Sequence, residues 1–210
     1  MYGIEIVTPA ASEPISAALL KSHLRLNTTD EDTLLTSHCV AAREMFESMT
    51  ERTCITTTYK MYMDAFPRVI RLPRMPLQSV TSVSYYDSTD NLVVWDSSKY
   101  SVDTKREPGR IVPKVWFPDW RVFPVYPPLS YKTSPKIVIE FVAGWTTLTL
   151  PSLVKQGLLL LASHYYENRS IQGKMDELPL GFRNIVNQYR SGWQTDMNPP
   201  MYGNYGYICE

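Results

Sequence analysis

The chain has 210 residues, 21 Lys+Arg against 21 Asp+Glu, three His and three Cys. A hydrophobic share of 44% excludes a disordered chain, and no apolar run approaches the twenty or so residues of a membrane span. Zero net charge argues against free-standing nucleic-acid binding, which draws on an excess of Lys and Arg.

The opening Met1-Tyr2-Gly3-Ile4-Glu5 has no basic segment followed by an apolar run, so no secretory signal is expected. Cys39, Cys54 and Cys209 are too scattered for a disulfide framework or a four-ligand zinc site, and synthesis in a reducing cytoplasm is expected. Residues 1–14 read as extended chain punctuated by Pro9 and Pro14. Ser16 can cap a short helix from Ala17 to Leu26, with Leu20 and Leu24 on one face. Thr29 and Asp32 have the spacing of a capping box for a second helix. Behind them Leu35, Cys39, Ala42, Phe46 and Met49 form one apolar stripe that ends near Thr53.

The period then shortens. Ile55–Met63, Val69–Leu72, Val80–Tyr86, Leu92–Trp95, Tyr100–Asp103, Arg110–Val112 and Ile137–Ala143 read as strands, with turns at Phe66-Pro67, Asp87–Asn91 and Glu107-Pro108-Gly109. Strands at this spacing predict an antiparallel sandwich or barrel. Six prolines between Pro113 and Pro135 exclude an inner strand there, and predict a long loop bearing Trp116, Phe117, Trp120, Phe123, Tyr126 and Tyr131. Helical steps resume after Pro151 with Val154, Leu158, Leu161 and Tyr165. A fourth helix opens at Pro179, with Phe182, Ile185, Val186 and Tyr189 on one side, and Gly192 ends it. The segment from Gln194 to Glu210 is aromatic but aperiodic and reads as an arm that orders on a partner.

The expected fold class is therefore α+β: a four-helix bundle from residues 1–53 and 150–193, interrupted by an antiparallel β-rich insertion at 54–149 that stands off as a second lobe. An extended C-terminal docking arm follows at 194–210. There are no internal repeats.

No catalytic constellation emerges. His38 and Cys39 are sequence neighbours on a helix and point apart, and His164 has no second group at matching spacing. Asp30, Glu31 and Asp32 suit the positive end of a helix dipole without a metal. No phosphate loop, dinucleotide fingerprint, nucleophile elbow or CxxC occurs, so no catalytic residue, metal or cofactor is expected.

Charge is unevenly placed. Asp30 to Arg52 holds six acids and two bases, a net of −4; Lys105 to Lys136 holds seven bases and two acids, a net of +5. Two readings stand: solvated faces of opposite sign, or an acidic face of one copy meeting a basic face of the next. On the second, Glu44, Glu47 and Glu51 face bases such as Arg110, Lys114 and Arg121 of a neighbour. Trp116, Trp120 and Arg121 also leave open a platform for single-stranded nucleic acid, although so many prolines favour protein docking.

Several phrases in order resemble the tailed-bacteriophage head–tail connector family, the adaptor or head-completion proteins. They are Thr8-Pro9-Ala10-Ala11-Ser12-Glu13-Pro14-Ile15-Ser16 leading to Lys21-Ser22-His23-Leu24-Arg25-Leu26, and Ala41-Ala42-Arg43-Glu44 before Thr50-Glu51-Arg52. Ile70-Arg71-Leu72-Pro73-Arg74-Met75-Pro76-Leu77-Gln78-Ser79-Val80 and Glu107-Pro108-Gly109-Arg110-Ile111 follow. The last are Phe141-Val142-Ala143-Gly144-Trp145 and His164-Tyr165-Tyr166-Glu167-Asn168-Arg169. The resemblance spans Thr8 to Arg190, with Phe123 to Ser134 a longer loop than the family pattern. It implies a structural virion protein and no enzyme: a ring, twelvefold to match the portal, that completes the head after DNA packaging. Its implied partners are the portal protein, neighbouring copies, a downstream neck or tail-completion protein, and genomic DNA passing through the channel without sequence-specific binding. No membrane is among them. On this reading Tyr202, Tyr205, Tyr207 and Ile208 anchor the arm in the portal, while Trp116, Phe117, Trp120, Phe123 and Tyr126 meet the neck partner. A stopper or tail-joining protein is the neighbouring alternative.

Overall fold

The computed structural model describes residues 2–114, 126–168 and 178–191. Four helices and two antiparallel sheets make it a mixed α plus β protein. The predicted loop at 171–178 lies almost wholly outside the described residues. So do most of the aromatic-proline loop, Gly192 and the arm.

Helix α1 (Ala17–Leu24) begins where expected, because Ser16 Oγ accepts the Leu19 N–H at 3.2 Å. It ends two residues early: Arg25 turns into the left-handed region at φ 58° and its N–H returns to Lys21 O. Helix α2 (Asp32–Thr50) likewise stops short of Thr53, since Glu51 sits at φ 60°. The predicted capping box does not form. The N-cap is Glu31, which makes no side-chain cap bond, and both acids nearby are used elsewhere. Asp32 pairs with Lys21 of α1 at 2.7 Å, and Glu31 accepts the Tyr166 hydroxyl at 2.5 Å. These tertiary bonds displaced the local one.

Helices α3 (Ser152–Glu167) and α4 (Leu180–Tyr189) start just after Pro151 and Pro179, which take the N-cap position rather than the first helical one expected of Pro151. α2 packs on α1, α3 and α4, and α3 also contacts α1 and α4. Their shared core contains Leu20, Leu35, Phe46, Leu158, Leu161 and Phe182, all fully buried. The rings of Phe46 and Phe182 meet edge to face, 6.5 Å between centroids. Burying each such side chain stabilises the fold by roughly 2 kcal/mol.

The strands are β1 (Tyr2–Thr8), β2 (Thr57–Met63), β3 (Ile70–Arg71), β4 (Leu77–Tyr86), β5 (Leu92–Val94), β6 (Tyr100–Asp103), β7 (Arg110–Pro113) and β8 (Ile137–Ala143). One sheet has the order β1-β2-β8-β4-β5, the other β3-β7-β6. Period-two burial along β8, with Ile137, Ile139, Phe141 and Ala143 inward, faces Ile70, Ile111 and Tyr100 of the smaller sheet in a second core. On the outer face Lys60 lies in register between Glu5 and Glu140 of the two flanking strands. Its Nζ reaches Glu140 at 3.7 Å.

One strand lies where the sequence reading placed helical module. Residues 2–8 pair antiparallel with β2, Tyr2 opposite Met63 and Glu5 opposite Lys60, and so complete the larger sheet. The chain then crosses to the helices through Glu13, whose carboxylate accepts Arg43 Nε at 2.8 Å.

The helical and β cores meet along a seam after α2. Thr53 N–H donates to Met75 O, Thr56 N–H to Trp145 O, and Gly144 N–H to Pro76 O, all at 2.8–2.9 Å. Gly144 takes φ 114°, and a Cβ there would stand 2.6 Å from Ile55 O.

Candidate functional site

The three residues that could have carried catalysis do not assemble. Cys39 is buried in the helical core, and burial pushes its thiol up to about 11. His38 and His164 flank the Tyr165 ring at 6.2 and 6.4 Å, and His164 Nδ1 stands 3.1 Å from the Asn168 side chain. Among the described residues no three His, Cys, Asp or Glu side chains are placed to hold a metal, and no helix is long and apolar enough to cross a membrane. What the structure offers is surface.

The acidic face of α2 is divided. Glu44 keeps a side-chain exposure of 66%, with Arg43 at 3.7 Å. Glu47 turns inward, accepting the Cys54 N–H at 2.7 Å and Arg43 Nη1 at 3.2 Å. Burial raises its pKa above the ordinary glutamate value, against the pull of the Cys54 N–H and Arg43. Glu51 ends α2 and accepts the Ser191 hydroxyl at 3.0 Å. Of the three glutamates expected to face a neighbouring copy, Glu44 is the one the fold leaves outermost. Glu47 is engaged inside its own chain because the turn at Cys54 passes over it.

The basic side is divided too. Arg110 is tied to Asp103 at 3.1 Å across the β6–β7 pair, whereas Lys114 is exposed, its N–H bonded to Lys99 O. Arg121 lies outside the described residues, with Trp116, Phe117, Trp120 and Phe123. Tyr126, expected to meet a neck partner, packs on its own β lobe. Its ring stacks on Phe66 at 4.5 Å and 4°, beside Trp95, and its hydroxyl donates to Pro67 O at 2.6 Å. Burial pushes that hydroxyl's pKa up to about 12. Tyr202, Tyr205, Tyr207 and Ile208 lie outside the described residues. Before them, the Ser191 N–H donates to Thr50 O at 3.3 Å, fastening the chain to the end of α2.

Two features escaped the sequence reading. The first is Arg52, which binds Glu107 through both guanidinium Nη atoms, donates from Nε to Tyr189 O at 2.6 Å, and lies over the Trp145 and Tyr189 rings at 5.6 and 5.7 Å. Nothing local marks it, since its partners come from three distant segments. The second is the pair of edges of the larger sheet. β1 carries Ile6 at 58% exposure and β5 carries Val94 at 65%. The alternation Tyr2-Ile4-Ile6 was the available signal for β1.

No family model and no curated protein sequence matches the chain. Solved structures do. A chain in the neck of an empty gene transfer agent particle, computed with C6 symmetry, superimposes with TM-score 0.72 at 24% identity, covering 90% of this chain and 95% of that one. A chain in the virion of a native gene transfer agent particle gives 0.72 at 23%, and one in the neck of a native particle computed with C12 symmetry gives 0.69 at 22%, with the same coverage. These likenesses establish a common fold over almost the whole length of both chains.

Proposed function

We propose that this chain is a structural protein of a phage-like virion neck, an adaptor whose copies form a ring beneath the portal. The observation that carries the reading is the fold it shares with neck chains over nine-tenths of its length. One of those necks was computed with C12 symmetry, which agrees with a twelvefold ring. The helices act as a bundle that supplies the ring contact, and the β lobe offers the platform for the next neck protein. Exposed Glu44 and Lys114 are the charges through which the acidic face of one copy meets the basic face of the next. The arm at 194–210 docks on the portal, and the axial channel passes DNA without gripping it, for which zero net charge is suited.

The test is electron microscopy of the protein mixed with its portal. Class averages with a ring of added density under the portal are expected, and loss of that density when Gln194–Glu210 is deleted. Added density that appears only with tail proteins would place the chain as a stopper or tail-joining component, and no binding to either would overturn the neck assignment.

A further inference from the structure

Two depressions on the surface share a wall. The larger, about 410 Å³, lies between the Tyr2-Ile4-Ile6 side of β1 and the second half of α2, with Tyr59 and Arg74 among its lining. The smaller, about 180 Å³, lies between the ends of α2 and α4 and reaches Ser191. Ser48 and Glu51 line both, so together they form one groove running from Ser191 to β1.

Three observations say what fits it. β1 ends the larger sheet, so the backbone groups on its outer side have no strand partner among the described residues. It is also seven residues long, without proline or lysine, and bears exposed Ile6 and Val7. Natural edges of that kind are covered. Second, Arg74 Nε is buried without a hydrogen-bond acceptor among the described residues, its guanidinium 5.8 Å over the Tyr59 ring. A buried donor left so calls for an incoming carbonyl or carboxylate. Third, the chain continues from the groove's own end. Nineteen residues follow Ser191, about 60 Å when extended, and Tyr205 and Tyr207 are two apart, the spacing that places both on one side of a strand.

We infer that in the free protein residues 202–208 of the same chain occupy this groove as an added strand along the open edge of β1, with a main-chain carbonyl accepting from Arg74. The ring assignment is not needed for this, since it concerns the chain before any partner binds.

Amide hydrogen exchange on the full chain, on a chain lacking 194–210 and on a full-length Tyr205→Ala/Tyr207→Ala variant tests it. The amides of β1 that face away from β2 are expected to exchange at least tenfold faster in both altered chains, with protection in the full chain unchanged on hundredfold dilution. Equal exchange in the three proteins would overturn the inference. Protection that disappears on dilution would also overturn it, and would assign the groove to the segment of a second copy. The double variant keeps the test valid if the shortened chain fails to fold, and portal attachment reports separately on the ring.

Discussion

Arg52 and Glu107 meet fork to fork, Nη1 to Oε1 at 3.0 Å and Nη2 to Oε2 at 2.5 Å, across the seam between the helical and β cores. The two ends of the contact differ in environment: the Arg52 side chain is 14% exposed, that of Glu107 44%. Replacing Arg52 by Ala also strips the Tyr189 carbonyl and two aromatic faces of their partner. A loss of about 3 kcal/mol in urea unfolding is expected for Arg52→Ala, against less than about 1 kcal/mol for Glu107→Gln. Arg52→Lys should recover little, because an ammonium cannot copy the fork. Equal costs for the two partners would show that the guanidinium does nothing at the seam beyond its ion pair.

Glu47 gives the pH dependence a component of unusual sign. Its folded-state pKa is raised, chiefly by burial, so the native protein holds this proton more tightly than the unfolded chain. The resulting stabilisation is present below the ordinary carboxylate value and is lost as pH rises through the raised one. Asp87 and Asp90 behave oppositely. The Thr89 hydroxyl and Asn91 N–H lower the first, the Thr133 and Ser130 hydroxyls the second, and both contributions fade as pH falls. Glu47→Gln should therefore gain stability relative to the parent as pH climbs from about 4.5 towards 7. Unfolding curves whose difference stays flat over that interval would contradict this.

Cys39 and Cys54 are both fully buried, and burial raises both thiols far above their ordinary range. In a Cys209→Ser variant neither should react with a disulfide reagent at pH 8 under native conditions, and both should react at once in denaturant. Rapid native labelling of either would mean that the helical core opens near α2.

Gly144→Ala probes the seam from its backbone. A methyl group there must tolerate φ 114° and a carbonyl oxygen 2.6 Å away. A destabilisation of about 3 kcal/mol is expected, read as a lower urea midpoint with unchanged slope. A midpoint equal to the parent's would show that the turn into α3 can relax.

The ring contact is tested by charge exchange. Glu44→Lys and Lys114→Glu should each weaken assembly on the portal at low salt, and the two together should restore it in part, as followed by sedimentation. Independent, additive losses would remove this pair from the interface.

The residue pattern revealed all four described α-helices, and Tyr100–Asp103 and Ile137–Ala143 to the residue; along Ile137–Ala143 burial alternates with a clean period of two. It went astray where tertiary bonds overrode local ones. Asp32 left its capping position for Lys21, and Glu47 turned from the acidic face towards Cys54. β1 looks like plain extended chain in the sequence because its partner strand lies some fifty residues further on, and an edge strand declares itself only through the neighbour it joins. Arg52 joins four segments and has no signature at any sequence distance.

The middle position of β8 governs how the molecule is made. β2 and β4 touch each other only through it, and β1 and β5 hang on those two, yet β8 comes from residues 137–143. A chain emerging from the ribosome therefore carries two strand pairs of the larger sheet, β1-β2 and β4-β5, that nothing joins to each other until two-thirds of the polypeptide has been synthesised. A fragment cut before residue 137 keeps the β1-β2 and β4-β5 pairings but lacks the one strand that makes a single sheet of them.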